Sequence, residues 1–143
     1  MQISRRGDYS VRAMIDIASR PEGEMALTHE VAQRQGIPRS FLVKIIGQLA
    51  KAGLLRAFRG ATGGVYLARP ADQISLRQII EAVEGPIHLN RCLIRPGECN
   101  LDTTCPVHAV WEEAQNHFLQ LFDSKTLADL LEDSTILDGS ITA

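Results

Sequence analysis

Residues 28–53 read THEVAQRQGIPRSFLVKIIGQLAKAG, and the spacing of their apolar positions decides the fold. Leu42, Ile45, Ile46 and Leu49 fall at i, i+3, i+4 and i+7, which predicts a helix from about Arg39 to Ala52. Gly53 follows as a C′ residue, where glycine takes the left-handed conformation without a Cβ penalty. Upstream, Thr28 reads as the N-cap of a shorter helix ending near Gly36, with Val31 and Ala32 turned inward. Only Gly36-Ile37-Pro38 separates the two, and the second opens on Arg39 and Ser40. That is the pattern of a helix-turn-helix.

The downstream residues extend the pattern. Leu54–Phe58 reads as a strand and Val65–Ala68 as its partner, with the glycine-rich tip Arg59-Gly60-Ala61-Thr62-Gly63-Gly64 between them. A hairpin directly after the second helix is the wing of a winged helix. Its glycines let the backbone approach a narrow groove, and Arg59 supplies a cation to a minor groove of negative potential.

Toward the N-terminus, Val11, Met14, Ile15 and Ala18 give the core stripe of a helix over about residues 5–19, broken by Pro21-Glu22-Gly23. Ser75-Leu76-Arg77-Gln78 resembles a capping box opening a further helix, with Leu76, Ile79, Ile80 and Val83 inward and Gly85-Pro86 at its end. Residues 87–104 have no sustained period and contain Pro96-Gly97, so they read as a loop. A long helix is expected from about Cys105 to Phe122. Its apolar residues Val107, Trp111, Ala114, Phe118 and Leu121 are spaced 4, 3, 4 and 3, an a/d seam. Burying Trp111 and Phe118 in so small a chain is hard without a partner, so the seam reads as a homodimer interface. The alternative is packing on the winged helix of the same chain. Thr126–Leu131 adds a short helix, and the tail after Asp133 is expected to fray.

The fold class is therefore mainly α with a small β-hairpin wing, a winged helix-turn-helix plus a long dimerisation helix. Residues 1–85 form the DNA-binding domain and 86–104 the cysteine loop. Residues 105–133 form the dimerisation region and 134–143 the tail. The 143 residues, 45% of them hydrophobic, suit one compact domain with a dimerisation arm. No apolar run approaches the roughly 20 residues needed to span a bilayer. The first residues carry positive charge but no apolar segment follows, which reads as a cytoplasmic protein with no membrane partner.

The net charge of −2 hides an asymmetry. Residues 1–70 carry eleven Lys/Arg against five Asp/Glu, and residues 71–143 carry four against twelve. A basic first half suits a surface that displaces counterions from phosphates, and an acidic second half suits assembly or sensing. The expected partner is a double-stranded DNA operator. On the second helix of the motif, Arg39, Ser40, Phe41 and Lys44 lie off the apolar stripe and are expected to face outward toward it. Arg59 and Gly60 on the wing, with Arg5 and Arg6 as phosphate contacts, complete the candidate surface.

All three cysteines, Cys92, Cys99 and Cys105, fall in the loop or at its end, spaced C-x6-C-x5-C. An odd number in a cytoplasmic chain argues against a disulfide framework. Thiolates are preferred ligands of iron–sulfur clusters and of zinc. The paired C-x2-C knuckles common in structural zinc sites are missing here. His108 follows Cys105 by one helical turn, so both can address one point.

Taken together, these segments resemble a known family. The opening MQISRRGDYSVRAM, the run Ile37-Pro38-Arg39-Ser40-Phe41-Leu42, the wing Arg59–Leu67, Ile79–Gly85 and the three-cysteine loop before a long helix are similar, over about residues 1–130, to the Rrf-two type of bacterial transcription regulators. The resemblance implies a homodimer that binds DNA through paired helices and wings, with an iron–sulfur cluster, 2Fe–2S or 4Fe–4S, in each subunit. It implies Cys92, Cys99 and Cys105 as ligands. The fourth is His108, as in IscR-like members, or Asp8 of the partner subunit, as in NsrR-like members. This chain has one residue more between Cys92 and Cys99 than the five usual in the family.

The reading is thus a cluster-binding transcriptional regulator, most simply a repressor, sensing redox state, nitric oxide or iron–sulfur supply. The alternatives are a zinc-binding or thiol-switch winged-helix regulator and, more remotely, an iron–sulfur carrier. An enzyme is not indicated: the sequence offers no nucleophile–base constellation and no phosphate-binding glycine motif.

Overall fold

The computed structural model describes residues 2–59 and 63–142, with side chains through residue 134. Its elements are α1 (Arg5–Ala18), β1 (Ala26–Leu27), α2 (Thr28–Gln35), α3 (Arg39–Lys51), β2 (Leu55–Phe58), β3 (Gly64–Leu67), α4 (Leu76–Glu84), α5 (His108–Ser124) and α6 (Leu127–Thr142). Single 3₁₀ turns lie at Ala71–Gln73 and Arg91–Leu93.

The expected helix-turn-helix is α2–turn–α3. Leu42, Ile45, Ile46 and Leu49 are all buried, and the turn and the end of α3 each use a glycine at positive φ, Gly36 at 63° and Gly53 at 80°. Thr28 is the first residue of α2 rather than its cap. The reason is a strand that the sequence pattern does not announce. Ala26 and Leu27 pair antiparallel with Val65 and Gly64, so Leu27 ends a strand where the capping residue would sit. The sheet order is β1-β3-β2. Gly64 is required here, because a Cβ at that position would run into the Ala26 carbonyl. The hairpin β2–β3 is in register from Leu55↔Leu67 to Phe58↔Gly64, which makes it a wing.

One core joins these elements. Met14, Leu42, Ile45, Leu49, Leu54, Ile74, Ile79 and Leu127 are among its fully buried side chains. On α1 the buried face centres on Ala13, Met14 and Ile17, with Gly7 and Ser10; Val11, Ile15 and Ala18 are only half-buried at its margin. The inward face is thus turned from the expected stripe, because small residues at 7, 10 and 13 let α1 seat closely on α4. The capping box of α4 forms as expected. Ser75 Oγ accepts from the Gln78 N–H at 3.1 Å, and Gln78 Oε1 accepts from the Ser75 N–H at 2.9 Å.

After α5 the chain returns to the body. An antiparallel bridge joins Ser75 to Thr126, and the Leu127 N–H donates to the Ile74 carbonyl at 2.8 Å. In place of the expected short helix and frayed tail, α6 runs to Thr142 and packs on α1, with Leu127 inserted in the core. One residue inside a helix has no structural reason. Gly47 sits mid-α3 with open space where a Cβ would go, a placement about 1 kcal/mol less favourable than alanine. Among the described residues, no helix is long and apolar enough to cross a membrane.

Candidate DNA interface and cysteine centre

Arg39, Ser40, Val43, Lys44 and Gly47 stand exposed along the outer face of α3. Phe41 does not join them. It is half-buried against the core and meets the Tyr9 ring edge-on, centroids 5.5 Å apart, so it fastens α3 to α1 while still lining the groove beside Lys44. Arg5 and Arg6 are exposed at the start of α1, whose N-cap is Ser4. Arg6 shares with Phe41, Lys44, Gln48 and Lys51 a groove of about 440 Å³ in which every charged group is a cation. Arg59 is exposed at the end of β2, and Gly60 lies outside the described residues. The wing carries a further exposed cation, Arg56, and an exposed aromatic, Phe58, packed edge-on against Tyr66 at 5.6 Å.

Sequence reasoning missed the clamp that sets α2 and its turn against α1. Asp16 is buried on α1 and accepts from Arg34 Nε at 3.0 Å, Arg34 Nη2 at 2.7 Å and Gln35 Nε2 at 2.9 Å. From the previous turn of α1, Arg12 donates to the Gln35 carbonyl, with its guanidinium 5.4 Å from the Tyr9 ring centroid. Gln35 is the last residue of α2. Both its side chain and its carbonyl are therefore held by α1.

The three cysteines are free thiols, all half-buried. Cys92 lies in the 3₁₀ turn opened by Asn90, whose side chain accepts from the Arg91 N–H at 2.8 Å. Cys105 closes the loop, donating its N–H to the Leu101 carbonyl at 2.7 Å. Glu98, only 18% exposed, pairs with Arg95 at 2.9 Å and Arg91 at 3.6 Å, and the Gly97 N–H donates to Asp102 at 2.7 Å. Cys92, Cys99, Cys105, His108, Glu98 and Trp111 line one cavity of about 500 Å³ at the N-terminal end of α5. His108 opens that helix, three residues later than the expected start at Cys105. Its Nδ1 is buried without a hydrogen-bond partner, and its Nε2 is 3.9 Å from Glu112 Oε2.

The chemistry of this donor set, three thiols and an imidazole nitrogen lacking a partner, fits a soft metal centre. The side chains nevertheless stand apart: no group of three or more His, Cys, Asp or Glu among the described residues is placed to hold a metal ion. Asp8 does not line this cavity. It is exposed on α1 and paired with Arg12 at 3.4 Å. His88, which showed no signal in the sequence, also has a buried Nδ1 without a partner.

Not one residue of α5 is fully buried, although its apolar spacing is that of a core helix. Val107, Trp111 and Leu121 are 37%, 36% and 54% exposed, Ala114 is exposed, and Phe118 is half-buried with its ring 5.7 Å from Phe122. On its other side α5 packs on α4, where Arg77 bridges Glu81 at 3.0 Å and Asp123 at 2.9 Å. Those hydrogen bonds hold the Arg77 guanidinium pKa above its ordinary value.

Comparison with known families settles the ancestry of this arrangement. The model of Rrf2, described as iron-dependent transcriptional regulators, matches residues 3–133. The chain belongs to the Rrf2 family. Its fold is similar to that of T. potens IscR, at 32% identity and a TM-score of 0.75, over 94% of this chain and 88% of that one. It is equally similar to CymR, the global cysteine regulator of B. subtilis, at 27% identity and a TM-score of 0.75, over 92% of this chain and 97% of that one. An oxidised form of Staphylococcus aureus CymR matches at 28% identity with a TM-score of 0.74, over 92% and 97%. As an Rrf2 protein the chain is a transcription regulator of winged-helix fold, and the expected family and fold class both hold.

Proposed function

We propose that this Rrf2 protein is a homodimeric, operator-binding regulator whose DNA affinity is set by an iron–sulfur cluster held by Cys92, Cys99, Cys105 and His108. The observation that carries the reading is the shared cavity: three free thiols and His108, whose Nδ1 lacks a partner, line one space at the base of a helix that has no fully buried residue. The iron-dependent character of the family supports it. His108 is preferred over Asp8 because it already lines the cavity, whereas Asp8 would have to come from a second subunit and give up Arg12.

When bound, the cluster supplies an iron centre that responds to electrons or to a diatomic ligand. The chain's own residues do the rest. Bringing the three thiolates together would require the 92–105 segment to rearrange, against the hold of Glu98 on Arg91 and Arg95. α5 is tied to α4 through Arg77–Asp123, and α4 packs on both α1 and α3. A change at the cysteines thus has a packed route to the spacing of the two α3 helices in a dimer, which must match a palindromic operator.

The test is anaerobic purification with iron and sulfide determination. Coloured protein is expected, with loss of colour on replacing all three cysteines by alanine and a shifted spectrum for His108→Ala but not Asp8→Ala. Absence of iron and sulfide, with tight operator binding retained, overturns the cluster.

A second reading has its own support, since all three cysteines are free and half-buried and the fold is as similar to CymR, one form of which is oxidised, as to IscR. Two of them would form one S–S bond, with a low-molecular-weight disulfide reduced to two thiols in exchange. Thiol titration before and after oxidation, on metal-free protein, separates the two.

A further inference from the structure

The geometry points to Gly47 as the place where the sugar–phosphate backbone of DNA crosses α3, with Lys44, Lys51 and Arg6 taking its phosphates. The inference rests on the DNA-binding reading of α3 and deepens it. Gly47 lies in the interior of a regular helix and is not among the glycines at positive φ. Nothing lies within 4 Å of where its Cβ would stand, so no neighbour demands its smallness. The fold would be better served by alanine. What glycine uniquely provides there is bare backbone on an exposed surface.

That surface is not neutral. Ser40, Lys44, Gly47 and Lys51 are spaced 4, 3 and 4, which puts them on one face of α3. Arg6 closes the same groove from α1, and Gln48 adds a neutral polar group. A concave cationic strip around an open glycine fits a polyanion whose backbone presses close, not a small ligand enclosed on all sides. The contacts it offers are to phosphate and sugar, so they position the protein and leave base reading to the N-terminal half of α3.

The test uses the full chain and a duplex enriched by the wild-type protein from a random-sequence pool. Gly47→Ala is expected to raise Tm by about 3–5 °C at equal protein concentration. The same variant is expected to bind the duplex about tenfold more weakly, because an added methyl overpacks the contact. Lys44→Ala and Lys51→Ala should each reduce the salt dependence of binding by about one unit of slope. A glycine of merely structural value cannot move stability and affinity in opposite directions. Wild-type affinity in Gly47→Ala, or a lowered Tm, overturns the inference. Failure of the wild-type protein to enrich any duplex overturns the DNA reading beneath it.

Discussion

The clamp around Asp16 allows a stability effect to be worked from the structure. The carboxylate is 5% exposed and accepts three hydrogen bonds, two from the Arg34 fork and one from Gln35. Hydrogen bonds to a charged group contribute roughly 1.5–3 kcal/mol each. Arg34 is 38% exposed, so water can re-solvate it after the carboxylate is removed, and its share must be cut accordingly. Allowing about 2 kcal/mol for the fork and about 1 for Gln35, Asp16→Ala should lose about 3 kcal/mol. That is a large part of the roughly 5–15 kcal/mol that holds a domain of this size together. Asp16→Asn should lose nearly as much, because its amide turns donors toward the guanidinium. The assay is urea unfolding followed by far-UV circular dichroism, read as a shift in midpoint at constant slope. A double-mutant cycle with Arg34→Ala isolates the pair, and a coupling of about 1–2 kcal/mol is expected. A stability within about 0.5 kcal/mol of wild type, or no coupling, would refute the claim that this clamp sets α2 against α1.

Other expectations follow from single residues. Leu127→Ala should cost about 2–5 kcal/mol in the same unfolding assay, since that side chain is fully buried where α6 rejoins the core; a smaller loss would mean that α6 is only loosely docked. Trp111→Asp, on the exposed seam of α5, should leave helix content intact by circular dichroism while converting a dimer to monomer in sedimentation equilibrium; an undisturbed dimer would remove α5 from the interface. Asp129 has its pKa lowered, chiefly because its carboxylate accepts the Thr126 N–H at 2.9 Å at the start of α6. Its contribution is therefore present above the ordinary carboxylate range and lost as pH falls through the lowered value, so Tm should fall less in Asp129→Asn than in wild type between about pH 4 and pH 3.

Local pattern carried the parts of the fold that local chemistry decides. The apolar stripe of α3 and the Ser75–Gln78 box are legible because each lies within a single helix. β1 is not legible, since two residues have no period and pair with β3 nearly forty positions away only because Gly64 leaves room for the Ala26 carbonyl. The inward turn of Phe41 depends on Tyr9, and the burial of Asp16 on Arg34 and Gln35, partners that helical spacing cannot name. At the cysteine centre, the sequence places Cys92, Cys99, Cys105 and His108 in one region, and all four line one cavity. That they share a cavity while standing apart is a matter of the turns between them, where Glu98 and Asp102 hold the loop in its own bonds.

Trp111 ties the two halves of the proposed mechanism together. It is the one aromatic of the α5 seam that also lines the cysteine cavity, and Val107 shares both places. Under the proposed function, a rearrangement of the thiols would be felt by side chains that a second subunit would cover. Interfaces respond to such shifts by switching between packings rather than by deforming smoothly. The cysteines need not reach the DNA-binding surface directly. It is enough that they alter how Trp111 meets the neighbouring subunit, because α5 is fixed to α4, and α4 to α3, by contacts within each chain. On this view the acidic second half of the chain holds the sensor and the assembly surface in one place, and the basic first half is carried along as a rigid reader.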